Sequence, residues 1–230
     1  MMNSRRQPGR GEPSLLLRAG LALLLVAVAG GLVAALLAGP ASPGLAAAVA
    51  DTLAQSGTDN PVTAVLLNFR GYDTLLEMAV LTSALMGVWA LGPAPRIRET
   101  EPSPVLLGMN SVLIPLAPLI CAYLLWAGAT RPGGAFQAGA VLAAAGVLFV
   151  ISGRRPVLQL PAAPMRWGVV IGLGFFVVVA LGVMPRGVQL LEYPRDLAGT
   201  LMLLIETAAT VSIALILAGL FIGGRPEGEP

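Results

Sequence analysis

Three ionisable residues stand close together in an otherwise apolar stretch. "NFRGYDTLLEMAVL", residues 68–81, carries Arg70, Asp73 and Glu77. Offsets of three and four residues fall on one face of a helix, so the three charges line one stripe. At the helical rise per residue, Glu77 lies about 6 Å deeper than Asp73. Two carboxylates one turn apart repel. An ionisable group at the centre of a bilayer costs about 2.5–3.5 kcal/mol on insertion scales, so such groups face protein or water rather than lipid. Two readings fit. One is a carboxylate that takes up and releases a proton or a cation. The other is a structural ion-pair cluster that fixes the helix against a partner. A further carboxylate, Glu206, is the only charge in the last apolar stretch, with Thr207 and Thr210 near it. It lies about 10 Å from a helix start near Gly199, a depth similar to that of Glu77. A carboxyl group hydrogen-bonded across a helix interface is the structural alternative here. Chain spacing does not fix whether Glu77 and Glu206 meet.

The elements that hold these side chains follow from composition. Hydrophobic residues make up 56% of the 230 and charged residues 11%, with a mean hydropathy of +0.82. A soluble domain carries about 25% charged residues, so the solvent of this chain is lipid. A spanning helix needs about 20 mostly apolar residues. Six stretches qualify: 15–38, 72–91, 105–128, 135–152, 166–184 and 199–222. The expected fold class is therefore an all-α integral membrane protein of about six transmembrane helices with no soluble domain. The head 1–13 and the tail 224–230 read as disordered. The run "GPAPRIRETEPSP", 92–104, concentrates prolines and charges. It divides the chain into a two-helix unit, 14–95, and a four-helix unit, 105–223, with 96–104 as linker.

Arginine placement sets the expected orientation, because Arg near the ends of short loops favours the cytoplasm. Ten arginines fall on the side of both termini and four on the other. Both termini are then cytoplasmic in a cell (inner) membrane, and Asp73 and the 129–134 loop face outward. The first span has a rival reading as a secretory signal cleaved near "AGPASPGLA". Its apolar run is about 20 residues, longer than the roughly 7–15 of a signal core, which favours a retained helix.

Several chemistries are excluded. The chain has no His, which removes His-ligated haem and zinc sites and His proton relays. Its one cysteine, Cys121, lies in an apolar run and reads as an inert core thiol. The net charge of +2 is too small and scattered for nucleic acid. "RPGGAFQAG", 131–139, makes a tight turn in which Pro132 fixes a backbone angle and Gly133 and Gly134 permit unusual ones. It lacks the Lys-Ser/Thr of a phosphate loop, so no nucleotide is expected. Ala135, Gly139 and Ala143, and Gly168 with Gly172, are small residues at spacing four that let membrane helices approach closely. Pro115 and Pro118 are expected to kink their helix. No nucleophile–base–acid set is present, so the chain does not read as an enzyme, and no cofactor or tightly bound metal is expected.

A resemblance adds to this reading. "NPVTAVLLNFRGYDTLLEMAVL" resembles a segment of the Mrp-type multisubunit sodium/proton antiporters and of membrane-bound hydrogenases. That segment usually runs close to "VNVILVDFRGFDTLGE". It lies near the C-terminus of the large A subunit in the former and in a small separate subunit in the latter. "LIPLAPLICAYLLWAGATRPGGAFQAGAVLAAA", 113–145, and the closing helix with its Glu resemble the B subunit of the same antiporters, the MnhB domain, whose pattern reads close to "PGGGFQGG". The two resemblances cover nearly all of the chain after the first helix. Asn68 stands where the pattern has an acid, and Leu76 where it has a small Gly.

The resemblance implies a non-catalytic membrane subunit of a cation (Na+)/H+ antiporter, working with the other subunits of that complex in the bilayer. The transported Na+ or H+ would be cargo. It also implies that Asp73, Thr74 and Glu77 are the foremost ion-handling candidates, followed by Glu206. Arg70, Gly71, Pro132, Gly133, Gly134 and Gly139 form the structural motif. An ion-translocating subunit of a related hydrogenase or redox complex, and a purely structural packing subunit, are the alternatives.

Overall fold

The computed structural model describes residues 15–38, 45–93, 102–153, 162–185 and 190–224. The head 1–13, most of the linker 96–104 and all of the tail but Gly224 lie outside the described residues. Every regular element described is helical. Two compact units are present, Met1–Ala47 and Ala48–Pro230. The first contains α1 (Leu15–Ala38), a 24-residue helix that is apolar all round after Arg18 in its first turn, the pattern of a helix surrounded by lipid.

The second unit is built on five longer helices. These are α4 (Gly71–Ala90), α5 (Pro104–Ala127), α6 (Ala135–Ile151), α7 (Ala162–Val183) and α8 (Ala198–Ile222). Before them come α2 (Leu45–Thr52) and α3 (Pro61–Thr63), which runs into a π-helical turn over Ala64–Phe69. Helix α8 is the hub, packing against α4, α5, α6 and α7. More than half of its apolar stretch is buried, 56%, against 22% for α4 and 17% for α5. Its core side chains Met202, Ile205, Ala209, Ile213 and Ile216 are buried at helical offsets of three and four. They join three successive layers: Phe176 with Leu67, then Met78 with Ala135, then Leu85 with Val169.

Glycines let these helices close in. A Cβ at Gly139 would lie 2.7 Å from Ile213 of α8. One at Gly172 would lie 2.9 Å from the Ala209 Cα. The Ser212 hydroxyl then bridges two backbone groups of α7. It accepts from the Gly172 N–H and donates to the Gly168 carbonyl, both at 2.8 Å. An α-helix would pair those two groups with each other, so the hydroxyl ties α8 into the backbone of α7.

Among the described residues five helices are long and apolar enough to cross a membrane, and α6, with 17 residues, stands at the short end of the spanning range. The RPGG turn precedes it, with the Gly134 N–H on the Leu124 carbonyl of α5. The 92–104 run marks a change of composition, and α4, which precedes it, packs on α7 and α8. Helix α5 continues through Pro115 and Pro118.

Candidate functional site

The π-helical turn decides where Arg70 lies. The Arg70 N–H bonds back five residues to the Val65 carbonyl at 2.8 Å, and Arg70 then breaks the helix at φ −130°, ψ 35°. Helix α4 starts afresh at Gly71. A Cβ there would come 3.2 Å from the Leu191 side chain, so Gly71 admits the loop that precedes α8. The stripe inferred from an unbroken helix therefore loses Arg70 at its start. Arg70 sits on the cap and forms an ion pair with Asp73, both side chains more than half exposed. Thr74 and Glu77, further along α4, line a cavity of about 250 Å³.

Glu206 lines the same cavity, with Met78, Phe176 and Gln137 among the walls. The helix starts put Glu77 about 9 Å and Glu206 about 12 Å along their helices, so similar depth and opposed faces bring the two carboxylates to one space. Glu206 is 8% exposed. Its carboxylate accepts from the backbone N–H of Ala135 at the start of α6, one of the orphan donors of a helix N-terminus. The positive end of the α6 dipole thus faces it.

The RPGG turn sets up that meeting. The Gly134 N–H returns to the Leu124 carbonyl at 2.9 Å, folding the turn over the end of α5. A Cβ at Gly128 would lie 2.8 Å from Gly134, and one at Gly133 would collide with the Leu124 carbonyl. Gly134 itself has φ +106°, and a Cβ there would lie 2.7 Å from Glu206 Oε1. Two glycines in succession therefore let α6 begin against the carboxylate, and Pro132 leads the chain into them.

A polar clamp holds the turn from the other side. The Asn60 side-chain amide donates to the carbonyls of Gly128 and Arg131, at 2.9 and 2.8 Å. Its oxygen caps the Val62 N–H at 3.0 Å. Thr63 donates to the same Gly128 carbonyl at 2.6 Å. Thr74 donates back to the Leu66 carbonyl at 2.6 Å, satisfying an acceptor of the π turn. Asn68, where the resembled pattern has an acid, donates instead to the Ser56 carbonyl at 2.8 Å. Its neutral amide anchors the preceding loop. Leu76 lies exposed on the outer face of α4, away from the cavity.

The geometry thus brings together Thr74, Glu77 and Glu206 of the ion-handling candidates and leaves Asp73 in a surface pair. Asn60, Thr63 and Gln137 belong to the site and were not singled out from the sequence. Asn60-Pro61, a cap residue followed by proline at a helix start, was the available signal. Among the described residues no group of three or more His, Cys, Asp or Glu could hold a metal ion.

Comparison with known proteins places this architecture. A curated relative from Rhizobium meliloti (strain 1021), described as a probable K(+)/H(+) antiporter A/B subunit, is 28% identical over 159 residues, 56% of this chain. The match spans 16% of that much longer protein. A chain of the membrane-bound sulfane sulfur reductase, an archaeal respiratory membrane complex, matches at TM-score 0.71 and 26% identity. That match covers 90% of this chain and 97% of the other. A chain of the Mrp complex from Dietzia sp. DQ12-45-1b shares the fold at TM-score 0.64 and 21% identity, covering 98% of this chain and 27% of the other. Residues 105–224, from the first turn of α5 to the end of α8, match the family described as "Domain related to MnhB subunit of Na+/H+ antiporter", and over that half of its length and more the chain belongs to this family of multi-pass membrane proteins.

Proposed function

We propose that the chain is a membrane subunit of an Mrp-type multisubunit cation/proton antiporter and that the cavity walled by Glu77 and Glu206 is part of its ion path. The observation that carries this reading is the convergence of the two carboxylates, with Thr74, on one cavity. Intramembrane carboxylates that face a cavity are the usual members of proton and cation routes. Membership of the MnhB-related family supports the antiporter setting. The potassium named for the curated relative and the sodium named for the family make both ions, with the proton, candidates for cargo. The chain acts with other subunits and needs no cofactor of its own. Arginine distribution supports cytoplasmic termini in a cell membrane and, with them, an outward-facing RPGG turn.

The test is Glu77→Gln and Glu206→Gln in the intact complex, assayed for cation-dependent proton exchange in membrane vesicles. Exchange is expected to fall while the complex is recovered in normal amount. Normal assembly with unchanged exchange refutes the ion-path reading.

A second reading is favoured by the match to the sulfane sulfur reductase chain, which covers nearly the whole of that chain. In it the same kind of membrane protein serves a redox-driven complex. The protein composition of the purified complex separates the two, since a redox complex contains iron–sulfur subunits and an antiporter does not.

A further inference from the structure

A second cavity, of about 280 Å³, lies on the other side of Glu206. Its walls include Thr58, Trp126, Ala129 and Thr130, close to the loop end of the bundle, together with Thr63 and Glu206. Thr63 and Glu206 line the first cavity as well. The 128–134 turn straddles both spaces, with Ala129 and Thr130 on one and Gly133 and Gly134 on the other. Each cavity has room for several water molecules at about 30 Å³ apiece. Among the described residues no Lys or Arg lines either one.

We infer that the two cavities are successive chambers of one route for a small hard cation, divided by a septum of Thr63 and Glu206, with the chamber walled by Thr58 and Thr130 as its entrance. This rests on the antiporter reading above. The polarity of the walls supports it independently. A hydroxyl has one proton to give and two lone pairs. Thr63 gives its proton to the Gly128 carbonyl, Thr58 to the Ala129 carbonyl and Thr74 to the Leu66 carbonyl. All three hydroxyl oxygens are thereby committed as acceptors. Acceptor oxygens of this kind replace the hydration shell of a cation and offer nothing to an anion. The septum sets a hydroxyl acceptor and a carboxylate between the chambers, so a cation moving from one to the other passes two oxygen ligands held from behind by the same turn. Thr63 acts as a positioning and selectivity residue, and Glu206 as the charged partner.

The experiment uses the intact complex in sealed vesicles, with Cys121→Ala as background and Thr130→Cys added. A membrane-impermeant, positively charged thiol reagent is applied to the face that bears the 128–134 turn. Labelling is expected. Exchange should fall by more than about tenfold relative to the same vesicles before reagent, a barrier between the aqueous and protein-surface limits for like charges about 4 Å apart. In parallel, Thr63→Val should raise the half-saturating cation concentration several-fold with the maximal rate less affected, and Thr63→Ser should restore it. Failure to label, labelling without inhibition, or Thr63→Val kinetics matching the parent overturns the two-chamber route. If that happens while Glu77→Gln still abolishes exchange, the ion-path reading survives. If Glu77→Gln is without effect, that reading fails first.

Discussion

Asp73 sits in the first turn of α4, where the helix dipole already favours a negative charge, and the Arg70 guanidinium lies against it. Glu77 is one turn further on. Among the described residues, the walls of the cavity it faces include no Lys or Arg and one other carboxylate, Glu206. Two residues of like chemistry, four positions apart, are thus handled in opposite ways. The charge of Asp73 is met at the surface by local groups, in the kind of exposed pair that contributes about 0–1 kcal/mol. The charge of Glu77 is left for something outside this side-chain set to meet, such as a proton, a cation or its hydration water. Burial does not separate the carboxylates, since Glu206 is buried and Glu77 is exposed. What sets Glu77 apart from Asp73 is that, among the described residues, the space it faces has no built-in cation.

The largest effect that tests this contrast is on exchange. Glu77→Gln should lower cation-dependent proton exchange about a hundredfold, the lower end for a positioned proton-transfer group, while the complex assembles as before. Glu206→Gln should fall in the same range. If both carboxylates serve one route, the double variant should be little worse than the poorer single one, because coupled residues do not add. Full additivity would assign them to separate routes. Next in size is Gly134→Ala. At φ +106°, with its Cβ 2.7 Å from Glu206 Oε1, an alanine strains the backbone and displaces the carboxylate. A loss of about 1–3 kcal/mol is expected, read as a lower melting temperature of the purified complex together with reduced exchange.

Much of this could be read from the residues. Helix positions followed from apolar length. The small residues at Gly139, Gly168 and Gly172 marked close helix contacts, and RPGG was evidently a tight turn. The depth argument for Glu77 and Glu206 anticipated a shared level. Three features escaped for one physical reason. The stripe 70–73–77 assumed an unbroken helix, but the π turn and the break at Arg70 place that side chain on the cap. A π turn depends on what satisfies its carbonyls, and here the Thr74 hydroxyl does so for Leu66. Asn60 and Thr63 spend their polarity on carbonyls of a turn far away in sequence, which chain spacing does not show. The role of Ser212 depends on where α7 lies. Periodicity reports which face an element buries. It does not report which distant carbonyl needs a donor.

Smaller effects sharpen the contrast from the structural side. Asn60→Ala removes two donors to the turn and the cap on Val62. The Gly128 carbonyl keeps its bond from Thr63, so the loss should stay near about 1–2 kcal/mol. It should appear in thermal stability more than in exchange. Smallest of all is Asp73→Asn. If Asp73 belongs to a surface pair, its removal should change exchange by no more than about threefold, and a double-mutant cycle with Arg70→Ala should give a coupling of about 0.2–1 kcal/mol in stability. High salt should reduce that coupling further, because exposed pairs are screened. A fall in exchange as large as that of Glu77→Gln would place Asp73 on the ion route, with Arg70 as the group that releases it. The division of the α4 charges into a surface pair and a cavity carboxylate would then be wrong, and the outer end of α4 would become the mouth of the path.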